Sequence, residues 1–105
     1  MIAHALSRVD VEACLVDAQT EILGLGVRRL ALFGSVQRNA ARADSDVDVL
    51  VEFQPGQKTY DHFFALGDLL ERVLNRSVEL VTPESLSPFL KPYILAEAKD
   101  VVRAA

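Results

Sequence analysis

The chain has 105 residues, 50% of them hydrophobic, with fifteen acidic against eleven basic side chains for a net charge of −4 and one cysteine. That length suits a single domain over residues 1–105, burying about two-thirds of its unfolded surface around one core. The lone Cys14 excludes an internal disulfide framework and suits a reducing cytoplasm, while the acidic balance argues against broad, non-specific nucleic-acid binding.

No apolar run approaches the roughly 18–20 residues of a membrane span, and Met1-Ile2-Ala3-His4 lacks the basic start and apolar stretch of a signal peptide. Val11, Leu15, Ala18, Ile22 and Leu25 recur at helical steps and predict one helix, closed by Gly24 and Gly26. Gly24-Leu25-Gly26 follows a helix, not a strand, which argues against a dinucleotide loop. Cys14 falls beside the apolar stripe, a buried and inert position. Residues 29–33 predict the first strand. Val47, Val49 and Val51 predict the second, with Asp46, Asp48, Leu50 and Glu52 on its other side. Pro55-Gly56 marks a turn. Phe63, Leu66, Leu70 and Val73 predict a second helix ending near Asn75, and residues 77–82 a third strand stopped by Pro83. Residues 86–102 read as helical again, and Pro92 places the start of that helix around Lys91. The expected architecture is α/β: a small mixed sheet of three or more strands flanked by helices.

The chemistry concentrates in two motifs. Gly34-Ser35 leaves the first strand, and Asp46-Val47-Asp48 opens the second. Residues two apart on a strand face one side, about 6.5–7 Å apart, so the two carboxylates repel unless a cation lies between them. Glycine lets a backbone approach a phosphate and serine offers it a hydroxyl. A calcium loop of the EF-hand type would need glycine at Val49 and glutamate at Pro55, and no Gly-Lys-Ser/Thr phosphate loop occurs. Glu79 lies in an apolar run, expected inside the sheet, where a carboxylate is costly unless it faces a metal, a cation or water; an edge strand with Glu79 in solvent is the alternative. Paired beside the second strand, it completes a cluster suited to two magnesium ions roughly 3.5–4 Å apart.

Gly34-Ser35, Asp46-x-Asp48 and Glu79, with the run from Val78 to Glu84, resemble the nucleotidyltransferases of the DNA polymerase β superfamily, particularly the minimal nucleotidyltransferase (MNT) family. Two positions depart from that pattern: Glu79 stands where the family usually has aspartate, and Arg38-Asn39 where an Arg-Gly pair is common. Asparagine tolerates the left-handed backbone, so the turn is expected to survive. The resemblance implies transfer of AMP from ATP to a hydroxyl, with two Mg²⁺ (or Mn²⁺) ions. It implies that Gly34 and Ser35 cradle the β- and γ-phosphates, that Asp46 and Asp48 hold the metals, and that Glu79 binds the metal nearest the acceptor and helps deprotonate it. Arg38 or Arg42 would reach the triphosphate, an ordinary surface position being the alternative for either.

The same resemblance implies a helical HEPN-domain toxin as partner, neutralised by adenylylation of a tyrosine, which makes this chain an antitoxin; homo- or hetero-oligomers are both compatible with it. Two other readings stand beside it. One is a binding module that neutralises its partner by occlusion through Phe89, Tyr93 and Ile94, although core packing is expected to take at least two of these. The other is a small-molecule nucleotidyltransferase of the aminoglycoside type, which needs a second subunit or domain. His4 and His62 lack a second His or Cys at ligand spacing, so zinc is not expected, and Lys58 and Tyr60 sit where they could border a nucleotide.

Overall fold

In the computed structural model, which describes residues 7–105, Ser7 caps the first helix by accepting a hydrogen bond from the Asp10 N–H at 3.2 Å. His4 lies outside the described residues. The single helix expected here is two, α1 (Arg8–Asp17) and α2 (Gln19–Gly24). The break falls at Ala18, whose backbone (φ −96°, ψ 9°) leaves the helical region and whose N–H reaches back to both Cys14 and Leu15 carbonyls. The apolar stripe survives it: Val11, Leu15, Ala18 and Ile22 are all buried, while Cys14 is only half-buried at the core's margin.

Four strands follow, β1 (Val27–Phe33), β2 (Val47–Phe53), β3 (Val78–Val81) and β4 (Lys99–Arg103), in the spatial order β3-β2-β1-β4. β1 runs antiparallel to β2 and β4, and β2 parallel to β3, so the sheet is mixed. Between them lie α3 (Gly34–Gln37), α4 (Tyr60–Leu74), a 3₁₀ turn (Pro83–Ser85) and α5 (Lys91–Glu97). The helix expected to run on through residue 102 stops at Glu97. Ala98 turns extended (φ −62°, ψ 133°), and the β-branched pair Val101-Val102 joins the open edge of β1, where Val102 faces Leu30 and is buried. Across the strands Arg29 lies between two carboxylates, 3.0 Å from Glu52 on β2 and 3.4 Å from Asp100 on β4.

Strand alternation divides the core. Leu30, Leu32, Val47, Val49 and Val51 pack with α1, α2 and Leu66 and Leu70 of α4, each such side chain contributing about 1.5–3 kcal/mol by leaving water. Ala31, Phe33 and Leu50 point the other way and pack under Leu86, Ile94 and Ala98. Of the three apolar residues expected at the last helix, only Ile94 packs here. Phe89, in the turn before α5, and Tyr93 on α5 are 85% and 75% exposed. α4 ends as its sequence predicts, on Asn75 in the left-handed conformation (φ 52°).

Candidate active site

The register of the sheet assembles the site. Phe33 lies opposite Asp48 across β1 and β2, and Asp48 lies opposite Glu79 across β2 and β3. Directly opposed residues on neighbouring strands share a face, with Cβ atoms about 4.5–5.5 Å apart. Asp48 is thus on the same face as Leu50, at the margin of the smaller core cluster over which α5 lies. Glu79 meets it from an edge strand and is exposed, not inside the sheet as its apolar neighbours suggested. The strand order explains this, since among the described residues no strand pairs with the outer side of β3.

Gly34 follows Phe33 at the end of β1 and turns the chain into α3 with φ +74°. A Cβ there would overlap Asp48 Oδ2, so only glycine allows β1 to end this close to the carboxylate. Ser35 is half-buried in α3, and its carbonyl accepts from the Ala40 N–H at 2.8 Å. Asn39 adopts the left-handed backbone (φ 55°), as the resemblance requires of a residue replacing glycine, and its Oδ1 accepts from the Arg8 N–H at 2.9 Å. The loop to β2 is held from outside: Arg76 donates to the Arg42 and Ala43 carbonyls, and Ser45 Oγ accepts from the Arg42 N–H.

Electrostatically the site is acidic and strained. Burial pushes the Asp48 carboxyl up to about 6; a hydrogen bond with Glu79, the Glu79 charge and the Asp46 charge push the same way, while Arg38 pulls it down. After burial, Glu79 is thus the largest cause of the raised Asp48 carboxyl, through its hydrogen bond and its charge. Oxygen donors of this kind suit a hard divalent cation. Among the described residues no three His, Cys, Asp or Glu side chains converge as a finished metal cage, and Asp46 is exposed just before β2.

Of the sequence-predicted residues, Gly34 and Glu79 lie against Asp48, and the charges of Asp46 and Arg38 reach it. Arg42 is exposed on the loop, and among the described residues no ion pair joins it to the carboxylates. Lys58 pairs with Glu84 at 3.3 Å beside the far ends of β2 and β3, and Tyr60 stacks on Phe64, so neither reaches the cluster. His62 Nδ1 lies 2.7 Å from the Gln57 carbonyl, which makes it part of the turn into α4. One participant escaped the sequence reading. Glu97 Oε1, at the end of α5, accepts from the Gly34 N–H at 3.1 Å and pairs with Arg38 Nη1. Its signal was an acidic residue in the last turn of a helix, where the helix dipole disfavours one.

Known proteins share this fold and much of this sequence. A sequence profile described as a nucleotidyltransferase domain matches residues 17–101. A relative from Methanocaldococcus jannaschii, provisionally named a protein adenylyltransferase, is 43% identical over 81 residues, covering 77% of this chain and 86% of its own. The protein adenylyltransferase MntA of Thermococcus cleftensis is 34% identical over 93 residues, 88% of this chain and 93% of its own. A solved minimal nucleotidyltransferase superposes with a TM-score of 0.78 at 33% identity, over 90% of this chain and 95% of that one. The MNT antitoxin–HEPN toxin complex of Shewanella oneidensis, its toxin tri-AMPylated, shares the fold at a TM-score of 0.63 and 18% identity, over 92% of this chain and 73% of that one. With the profile over most of its length and these close relatives, the chain belongs to the nucleotidyltransferase-domain family, in its minimal nucleotidyltransferase branch.

Proposed function

We propose that this nucleotidyltransferase, a single domain over residues 1–105 working in the cytoplasm, transfers AMP from ATP to a tyrosine hydroxyl of a HEPN-domain toxin and so acts as its antitoxin. The observation that carries the reading is Asp48, backed against the Gly34 turn on one side and Glu79 on the other, with Arg38 beside them. The names of the close relatives and the AMPylated toxin in the Shewanella complex support the acceptor.

In this reading the Gly34-Ser35 turn and Arg38 hold the β- and γ-phosphates, with Arg42 free to reach them from the loop. Asp46, Asp48 and Glu79 would hold two divalent cations, Mg²⁺ or Mn²⁺, and these would supply positive charge at the reacting phosphates. The acceptor oxygen forms its bond to the α-phosphorus as the bond to the β-phosphate oxygen breaks. Pyrophosphate leaves, and Glu79, the exposed carboxylate of the pair, takes the phenol proton.

Incubation with ATP labelled in the α-phosphate, Mg²⁺ and a HEPN toxin tests this. Label on a toxin tyrosine, abolished by Asp46→Ala plus Asp48→Ala, supports the transferase. A second reading, neutralisation by occlusion, is favoured by the exposed Phe89, Leu90 and Tyr93. Neutralisation that survives the double substitution without labelling would establish it instead.

A further inference from the structure

Glu97 closes α5, the place in a helix where a carboxylate is least favoured, and α5 has no basic residue in its last turn to offset it. Its compensation comes from the other end of the chain. One oxygen, Oε1, takes the Gly34 N–H at 3.1 Å and the Arg38 guanidinium, so it grips the first residue of α3 and the residue that ends it. Both contacts are charge-assisted, and the carboxylate itself is half-buried although Arg38 is exposed. The same Arg38 pulls the Asp48 carboxyl down, so its charge reaches both Glu97 and the acidic cluster.

We infer that Glu97 is a positioning residue for the nucleotide: it fixes the Gly34–Arg38 turn so that Ser35 and Arg38 face the triphosphate. The inference rests on the reading in which that turn binds the phosphates. A carboxylate this close could instead compete with the triphosphate, but the hydrogen bonds argue otherwise. Glu97 takes the Gly34 amide and not the Ser35 hydroxyl, and among the described residues it engages Arg38 through Nη1, leaving the rest of a five-donor guanidinium for phosphate oxygens. Backbone bonds within the turn, among them the Arg38 N–H to the Gly34 carbonyl, hold its shape, and Glu97 adds the partner of the Gly34 amide and of the exposed Arg38 side chain.

Calorimetric titration of MgATP into the purified chain tests this without an acceptor. Glu97→Ala is expected to weaken binding about tenfold, the loss of a charged hydrogen-bond partner. Glu97→Gln keeps an acceptor for the Gly34 amide and is expected to weaken binding only about threefold. Adding Glu97→Ala to Arg38→Ala should cost less than it does alone, because the two act as one unit. The Gly34 amide resonance should move in Glu97→Ala and largely return in Glu97→Gln. Wild-type affinity in a folded Glu97→Ala, or tighter binding, overturns the inference; if that variant does not fold, the same outcomes in Glu97→Gln do so. Wild-type protein that binds no MgATP would instead overturn the phosphate-binding reading itself, and this inference with it.

Discussion

Gly34 and Asp48 approach so closely that a Cβ on Gly34 would overlap Asp48 Oδ2 and lie 2.9 Å from its Cγ. Gly34 also holds φ +74°, a conformation that costs an L side chain about 1–2 kcal/mol. Gly34→Ala is therefore expected to lower stability by about 1–3 kcal/mol and to abolish MgATP binding, because relief of the overlap moves either the carboxylate or the turn. Gly24→Ala is the control: it lies at the end of α2 with nothing within 4 Å of its Cβ, and should leave both unchanged or gain slightly in stability. Thermal unfolding and calorimetric titration of both variants check this.

Asp48 makes stability depend on pH in an unusual direction. Its carboxyl, ordinarily near 3.8, is held up to about 6 by burial first and by Glu79 and Asp46 next. Between those values the folded chain keeps a proton that the unfolded chain releases, so unfolding free energy falls as pH rises through that window. In buffer with EDTA the melting temperature should drop from pH 4.5 to pH 7 by more in the wild type than in Asp48→Asn, which lacks the titrating group. Millimolar Mg²⁺ should restore stability at pH 7 and have little effect at pH 4.5, where the proton occupies its place. Thermal scans across pH with and without the cation measure it.

The residues that the sequence made legible are those joined by short chain spacing. Gly34-Ser35 and Asp46-Val47-Asp48 each read as chemistry because strand alternation and turn formation are local. The two-faced β2, with valines to one core cluster and Leu50 to the other, followed from the same alternation. What was not legible depends on which strand lies beside which. Glu79 reads as interior from its neighbours, yet β3 is an edge, and only the order of the sheet decides that. β4 was hidden because an Ala-rich stretch ending in Val-Val suits a helix locally, and the vacant edge of β1 overrides that preference. Losing the true end of α5 also hid Glu97, since an acidic residue stands out only once it is known to close the helix.

Arg29 provides a solution test of β4. It sits between Glu52 and Asp100, so its removal leaves two carboxylates facing each other across β1. Arg29→Ala should cost about 1 kcal/mol, and a double-mutant cycle with Asp100→Ala should return a coupling of about 0.5–1 kcal/mol that shrinks in high salt. Urea unfolding of the four proteins gives the number. Zero coupling at low salt would separate Arg29 from Asp100 and remove β4 from its place beside β1.

Glu79 is the residue through which Asp48 can be tuned without touching it. Its hydrogen bond and charge are the second and third causes of the raised Asp48 carboxyl, after burial. Glu79→Gln removes the charge, so Asp48 should titrate lower, though still above its ordinary range because burial remains. Glu79→Asp keeps the charge and shortens the side chain by one methylene, so Asp48 should stay raised while the reach to an acceptor proton changes. Transfer should fall about a hundredfold in Glu79→Gln, the scale of losing a general base, and by less in Glu79→Asp. Carbon-detected NMR of the Asp48 carboxyl follows the titration, and initial rates of label transfer follow the reaction. If Asp48 titrates identically in Glu79→Gln, burial with the Asp46 and Arg38 charges sets its proton affinity and Glu79 does not act on it.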